Sequence, residues 1–321
     1  MNVVETAVRE DLIDDAPSTV QEPVPKRKRR RARRTRRGPL RSSSNVSAIL
    51  WTLAALSGLA VWALLHAFVL TSLEERGSQK RLYAQFREQL GNATAPQGGS
   101  IKPGSPVALV DAGIDGLRRL VVIEGTTAGQ LTRGPGHLSD TPLPGQPGVS
   151  VIFGRSVTYG APFRSLSRMQ AGETITVTTG QGVFEYRVDR VRRPGDLLPP
   201  PLPANGSGLM LVTSAADGWR SGWAPDHMIY LDATLTGGEV KPAPTHRPTA
   251  VSKSALAMQG ETGVLVLVVF WLQGVLLVSV GLAWARIRWG RWQTLVTGLP
   301  LALAVLWGAS GAAVRLLPNL I

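Results

Sequence analysis

The stretch Gly145-Gln-Pro-Gly-Val-Ser-Val-Ile-Phe-Gly-Arg-Ser-Val-Thr-Tyr-Gly-Ala-Pro-Phe-Arg-Ser-Leu166 decides how this chain is read. A turn-forming Gly-Gln-Pro-Gly opens it, a short apolar strand follows over 149–153, and a polar loop runs on to Tyr159, Pro162 and Phe163. Arg155 stands at the end of that strand, and its presence there needs a reason. On both sides the pattern repeats: short β-forming runs at 107–110, 120–123, 174–178, 184–188, 209–213 and 228–231 are separated by Gly, Pro and Asp. Thr179-Gly-Gln-Gly, just before Phe184, predicts a hairpin turn. Several short strands with frequent turns predict one small all-β barrel or sandwich over residues 106–235, a length sufficient for a single core.

The flanks are of another kind. Of the formal net charge of +13, eleven positive charges come from Lys and Arg in residues 26–41, a run without an acid. The pI near 11 therefore describes a tail and not the folded part. Residues 1–25, acidic and proline-containing, predict disorder, so 1–47 reads as a disordered cytoplasmic tail. An uncharged apolar run follows at 48–71, long enough to cross a hydrocarbon core of about 30 Å. It is too long for the apolar core of a cleaved signal peptide, and predicts a retained signal anchor. Its proximity makes the basic run a cytoplasmic segment facing anionic lipid, not a nucleic-acid site.

Leu82, Phe86 and Leu90, spaced by four, predict an amphipathic helix or stalk within 72–105, which ends in a Gly/Ser/Pro-rich linker. A second linker, rich in Pro, Ser and Thr, covers 236–261. Two further spans are expected at 262–285 and 294–317, joined by a loop at 286–293 whose three arginines and two tryptophans suit the cytoplasmic face. The N-terminus then lies inside, and the β-domain lies outside the membrane. Gly298, Gly308, Ser310 and Gly311 either permit close helix packing or are ordinary small residues. With no cysteine the chain has no disulfide, thiolate metal site or thiol nucleophile, and four scattered histidines make no metal cluster. No metal or cofactor is expected.

Gly134-Pro-Gly-His, Pro142-Leu-Pro-Gly-Gln-Pro-Gly, Val151-Ile-Phe-Gly-Arg, Thr158-Tyr-Gly-Ala-Pro-Phe-Arg-Ser-Leu and Leu209-Met-Leu-Val-Thr-Ser occur in this order. Together they resemble a sortase of the class E type found in actinobacteria, over roughly 106–235. The resemblance implies an eight-stranded closed β-barrel, here flanked by one N-terminal and two C-terminal transmembrane helices. It also implies a family reaction: cleavage of a C-terminal sorting motif and transfer of the new carboxyl end to a cell-envelope amine. Carried over residue by residue, the histidine of the family's Gly-His pair falls on Arg155, the cysteine of its Thr-Cys pair on Ser214, and the arginine opening its last strand on Met228. All three differ.

The family mechanism needs a thiolate nucleophile, an imidazole for proton transfer and a fixed cation for the oxyanion. A serine hydroxyl needs a general base, and Arg155 cannot serve as one. Met228 offers no donor. Loss of all three groups implies a pseudosortase without transpeptidase activity. The resemblance then implies an extracytoplasmic binding or accessory module for cell-envelope protein sorting or assembly. Its candidate groove is lined by Arg155, Tyr159, Thr213, Ser214, Trp219 and Arg220, and its partners would be a sorting-signal peptide, an envelope protein or an active sortase. Two alternatives stay open. One is a sortase-family, cysteine-less hydrolase or transpeptidase using Ser214, with His227 or Asp217 as base and Arg220 or Arg155 at the oxyanion. The other is a structural subunit of a membrane complex, carried by the two C-terminal helices. His227 sits beside the arginine slot, one strand position off its face. His137 reads as structural.

Overall fold

The computed structural model describes residues 44–114, 116–216, 225–243 and 250–321. The expectations for the tail and basic run at 1–43 lie outside these residues. The chain divides into two compact units, Met1–Thr52 and Leu53–Ile321; only the start of a helix is described in the first.

That helix, α1 (Ser44–Leu65), continues through one π turn (His66–Leu70) into α2 (Thr71–Gly91). Eight strands follow: β1 (Pro106–Asp111), β2 (Leu120–Glu124), β3 (Gly136–His137), β4 (Gly148–Phe153), β5 (Thr174–Thr179), β6 (Gly182–Arg192), β7 (Ser207–Ala215) and β8 (His227–Gly237). They close into a barrel in the order β1-β2-β3-β4-β7-β8-β6-β5. The barrel inferred from the sequence is thus present, including the β5–β6 hairpin closed at Thr179 and Gly182. The strand that periodicity missed is β3, two residues of the Gly-Pro-Gly-His motif that pair parallel to β2 and antiparallel to β4. A run that short carries no alternation to read.

Inward-facing Val110, Val122, Ile152, Ile175, Val177, Phe184, Leu209, Leu211 and Leu231 form the barrel core. Tyr186 is also fully buried there, and its hydroxyl accepts from Gly145 N–H (2.7 Å) and bonds Ser207 (2.9 Å). That satisfies a polar group whose burial would otherwise be costly. On α2, Leu82 packs against Val121 and Ile123, and Phe86 is fully buried. The Gln79 side chain donates to Val121 O and accepts from Val121 N–H (3.0 and 2.8 Å). The helix thereby lies on the outside of β2.

Two helices complete the chain, α3 (Leu265–Arg288) and α4 (Arg291–Val314). Among the described residues, three helices are long and apolar enough to cross a membrane: Thr52–Gly91, Thr262–Arg288 and Arg291–Val314. α3 runs on through Arg286 and Arg288, whose charges complement the carbonyl end of a helix. α4 ends at Val314; Pro318 is incompatible with continuation. Gly298 and Gly308 sit where the hairpin is tightest: a Cβ would meet Leu282 at 2.1 Å and the Trp271 ring at 2.3 Å. Trp62 Nε1 donates to Ser310 Oγ (3.0 Å), tying α1 to α4.

Candidate functional site

Parallel pairing of β4 with β7 sets Phe153 beside Val212, and antiparallel pairing of β7 with β8 sets Ser214 opposite Met228. Arg155, Ser214 and Met228 therefore gather at one end of three adjacent strands. Gly154 N–H donates to Val212 O (3.0 Å) and Thr213 Oγ1 donates to Gly154 O (2.8 Å), fixing the exit from β4. Position 154 must be glycine, because a Cβ would lie 2.4 Å from the Phe163 ring. Beyond it the loop turns back through two non-glycine residues in the left-handed region, Tyr159 (φ 51°) and Ala161 (φ 45°). Such strain persists only where the surroundings impose it. Here Tyr159 N–H donates to Thr71 Oγ1 (3.2 Å) and Phe163 N–H to Arg155 O (3.1 Å).

This loop buries Arg155, which is 1% exposed. Its guanidinium stands 5.1 Å from the centre of the Tyr159 ring. Nη1 donates to Thr158 Oγ1 (3.0 Å) and to the main-chain oxygen of Ile321 (2.6 Å), and Nη2 to Ala128 O (2.8 Å). Nε has no partner. Burial pushes the group down to about 10, against the opposing fields of Tyr159 and Glu261, so it stays charged at neutral pH. Burial, with the field of Glu74, pushes the Tyr159 hydroxyl up to about 12, so the ring remains neutral.

Ser214 is covered as well, 2% exposed. Its hydroxyl bonds Ser156 Oγ (2.8 Å) and donates to Leu320 O (2.7 Å). Leu320 O also accepts from Ser156 N–H (3.0 Å) and lies 3.3 Å from Ser156 Oγ. Among the described residues, no imidazole or carboxylate is a hydrogen-bond partner of Ser214. His227 sits opposite Ala215, on the other face of the β8 ladder from Met228, and its Nδ1 bonds Asp226 (2.9 Å). His137 is buried between Glu124 (2.9 Å) and Pro142 O (3.0 Å). The structure thus brings together Arg155, Tyr159, Thr213 and Ser214. Asp217, Trp219 and Arg220 lie outside the described residues. No cluster of three or more His, Asp or Glu suited to a metal occurs among the described residues.

What sequence reasoning did not find is the element that covers this site: the chain's own closing segment, residues 315–321. Outward-facing side chains of a barrel are ordinarily polar. Here Val151, Phe153, Met210, Val212, Met228 and Tyr230 make an apolar floor outside the barrel, and Leu320 packs on it with Leu131 and Met258. Asn319 fixes the segment: Nδ2 donates to Thr126 O (2.7 Å) and Leu256 O (2.9 Å), and its N–H to Gln259 O (3.0 Å). Both Asn319 and Leu320 are fully buried. Glu261 N–H donates to Arg315 O (2.9 Å), and Arg315 donates back to the Glu261 carboxylate (2.5 Å). The two chain segments flanking the α3–α4 hairpin are thereby zipped together over the groove. Burial pushes the Glu261 carboxyl up, but the Thr127 hydroxyl, the Gly129 N–H and Arg315 outweigh it and hold the group below its ordinary value. Beside Ser214 a cavity of about 350 Å³ is lined by Arg164, Arg168, Phe163 and Ile229.

Residues 113–213 match the family model described as the Sortase domain. A search of curated proteins finds no match. Among solved structures, a sortase D transpeptidase of Clostridium perfringens aligns at 23% identity, over 50% of this chain and 99% of that one, with a TM-score of 0.40. Sortase E from Streptomyces avermitilis aligns at 26% identity, over 43% of this chain and 91% of its own, with a TM-score of 0.34. Sortase A from Corynebacterium diphtheriae aligns at 19%, over 53% and 93%, with a TM-score of 0.36. The closed eight-stranded barrel, with the match inside it, has the sortase fold.

Proposed function

We propose that this chain is a membrane-anchored sortase-like protein that binds at the barrel without cleaving, as an accessory module of cell-envelope protein sorting or assembly. The observation that carries the reading is the state of Ser214. It occupies the position that the resemblance gives to the nucleophile, yet its hydroxyl donates to a peptide carbonyl and, among the described residues, meets no group able to take its proton. Arg155, in the proton-transfer position, is a buried cation that holds main-chain oxygens. Met228, in the oxyanion position, forms part of an apolar floor. The chain holds no cysteine to restore the lost chemistry. Three apolar helices support membrane anchoring. The basic run at 26–41 supports a cytoplasmic N-terminus facing anionic lipid, with the barrel on the opposite side.

The full chain in detergent micelles, incubated with fluorogenic sorting peptides and an amine acceptor, tests this. No turnover above the Ser214→Ala variant is expected, and no labelling of Ser214 by a fluorophosphonate. Turnover that disappears in Ser214→Ala would replace the binding reading by the serine-hydrolase one.

A further inference from the structure

We propose that the outer groove at Ser214 is a binding site for an extended polypeptide carrying an Asn-Leu pair, and that residues 315–321 are its resident ligand, displaceable by the same sequence in trans. This rests on the non-catalytic reading above and names the ligand class of that site.

Four observations carry it. The apolar floor is built from β4, β7 and β8, so it belongs to the barrel and persists when the segment leaves. Left uncovered, such a strip on an outward barrel face would be an exposed apolar patch of the sort that marks a binding surface. The segment is recognised as peptide, through its main chain. Leu320 O is taken by Ser156 N–H and Ser214 Oγ, Ile321 O by Arg155 and by Thr158 Oγ1 (2.6 Å), and Asn319 N–H by Gln259 O. Two side chains supply selectivity. The Asn319 amide reads two carbonyls 2.7 and 2.9 Å away, and Leu320 fills the apolar pocket. A lone amide that must find two acceptors discriminates against residues lacking it, and a closed apolar pocket discriminates against charge.

The fit is also incomplete, which favours exchange over permanent closure. Among the described residues, neither Arg155 Nε nor Asn319 Oδ1, both buried, has a hydrogen-bond partner. Each unmade bond subtracts from the closed state and lowers what a competing segment must overcome. Residues 255–261 are held to the barrel separately, Ala255 O by Thr126 Oγ1 (2.5 Å) and the Glu261 carboxylate by Gly129 N–H (2.7 Å), so the segment leaves alone and Leu256 O and Gln259 O stay for the incoming peptide. Occupancy therefore couples the groove to the α3–α4 hairpin: a peptide arriving in trans would release the α4 end of the hairpin from the barrel.

The absence of cysteine makes the test clean. A Leu320→Cys variant of the full chain, in nanodiscs, is treated with a maleimide dye, with and without excess peptide Arg-Leu-Leu-Pro-Asn-Leu-Ile. Labelling is expected to be slow alone and to rise by about tenfold or more with the peptide, the signature of local opening. A peptide with Ala for Asn and Asp for the following Leu is expected to leave the rate unchanged. Amide exchange of 316–321 in the unaltered chain repeats the measurement without a substitution. Fast labelling or exchange without peptide would overturn the resident-ligand assignment. Slow rates indifferent to every peptide, or equal acceleration by both peptides, would overturn the binding site. Turnover assayed on the same samples separates the two readings. Peptide cleavage together with displacement sinks the non-catalytic reading alone; neither displacement nor cleavage sinks this inference alone.

Discussion

The two faces of β7 are both buried, by different means. Inward, Leu209 and Leu211 meet strands of the same barrel. Outward, Met210 and Val212 meet Leu320, a residue from the far end of the chain. The inner face makes the barrel, and the outer face makes a site that something must cover. A strand that is apolar on both sides in an antiparallel-rich barrel points to such a cover, because one face would otherwise be left for water. Replacing the same side chain on each face separates the two roles. Leu211→Ala is expected to cost about 2–5 kcal/mol and to lower the melting transition of the barrel. Leu320→Ala removes an equally buried leucine, yet its effect is expected to be local. The barrel melts nearly as before, while the amides of 316–321 lose protection against exchange. Equal losses of melting temperature in the two variants would erase the distinction and make the cover part of the core.

The next effect in size belongs to Asn319. Asn319→Ala leaves Thr126 O and Leu256 O buried without their donor, a cost of about 1–3 kcal/mol falling on the closed state. Faster amide exchange in 316–321, with the barrel transition unmoved, is the expected record. Asn319→Asp should open the segment further, since a carboxylate facing two carbonyl oxygens repels both.

Smaller still is the contribution of Glu261, and it has a pH window. Its carboxyl lies below the ordinary value of 4.5, so the folded state favours the ionised form. The stabilisation is fully present above the unfolded value and is lost as pH falls below 4.5 through the folded one. Exchange of 316–321, corrected for intrinsic rates between about pH 3 and 6, should accelerate on acidification, and Glu261→Gln should flatten that dependence. A wild-type profile as flat as the variant's would show that the Glu261–Arg315 pair does not hold the groove closed.

How far the sequence could be read follows the same division. Period-two runs such as Thr174-Ile-Thr-Val-Thr lie on β5, where alternation is local, and the Gly-rich turn after Thr179 fixes its partner. The family resemblance alone put Arg155 and Ser214 in one groove; the register that carries them, Phe153 beside Val212, cannot be read from either strand by itself. The cover was not legible. Leu320 and Ser214 are more than a hundred positions apart, and neither linker nor span composition encodes which groove a short segment enters. One signal was available: Asn319 and Leu320 lie beyond Pro318, outside the helix that an apolar count extends to 317. Ser156 and Thr158 were passed over for a related reason, since hydroxyls in a loop look like turn formers until a carbonyl is seen against them.

The finest test of the comparison is Arg155 itself, because two opposed terms meet there. Burial lowers its affinity for the proton, so the surroundings disfavour the buried cation. Against that stand hydrogen bonds to Ile321 O, Ala128 O and Thr158 Oγ1, each from a charged donor and worth about 1.5–3 kcal/mol gross of what the acceptors lose. Arg155→Met keeps an apolar stem near the Tyr159 ring and removes the desolvated charge, but leaves Ala128 O without its Arg155 donor, so relief and loss oppose and the net cost is expected to stay within about 1–2 kcal/mol. Arg155→Ala would add a cavity to the same change and fall further. The readouts should split by region. In Arg155→Met the barrel transition holds, while exchange at 320–321 rises because Ile321 O has lost its strongest donor. If that variant instead unfolds the barrel, Arg155 belongs with the inner face of β7 and not with the groove. The position would then be a structural cation, and the peptide site would have to rest on Ser156 and Ser214 alone.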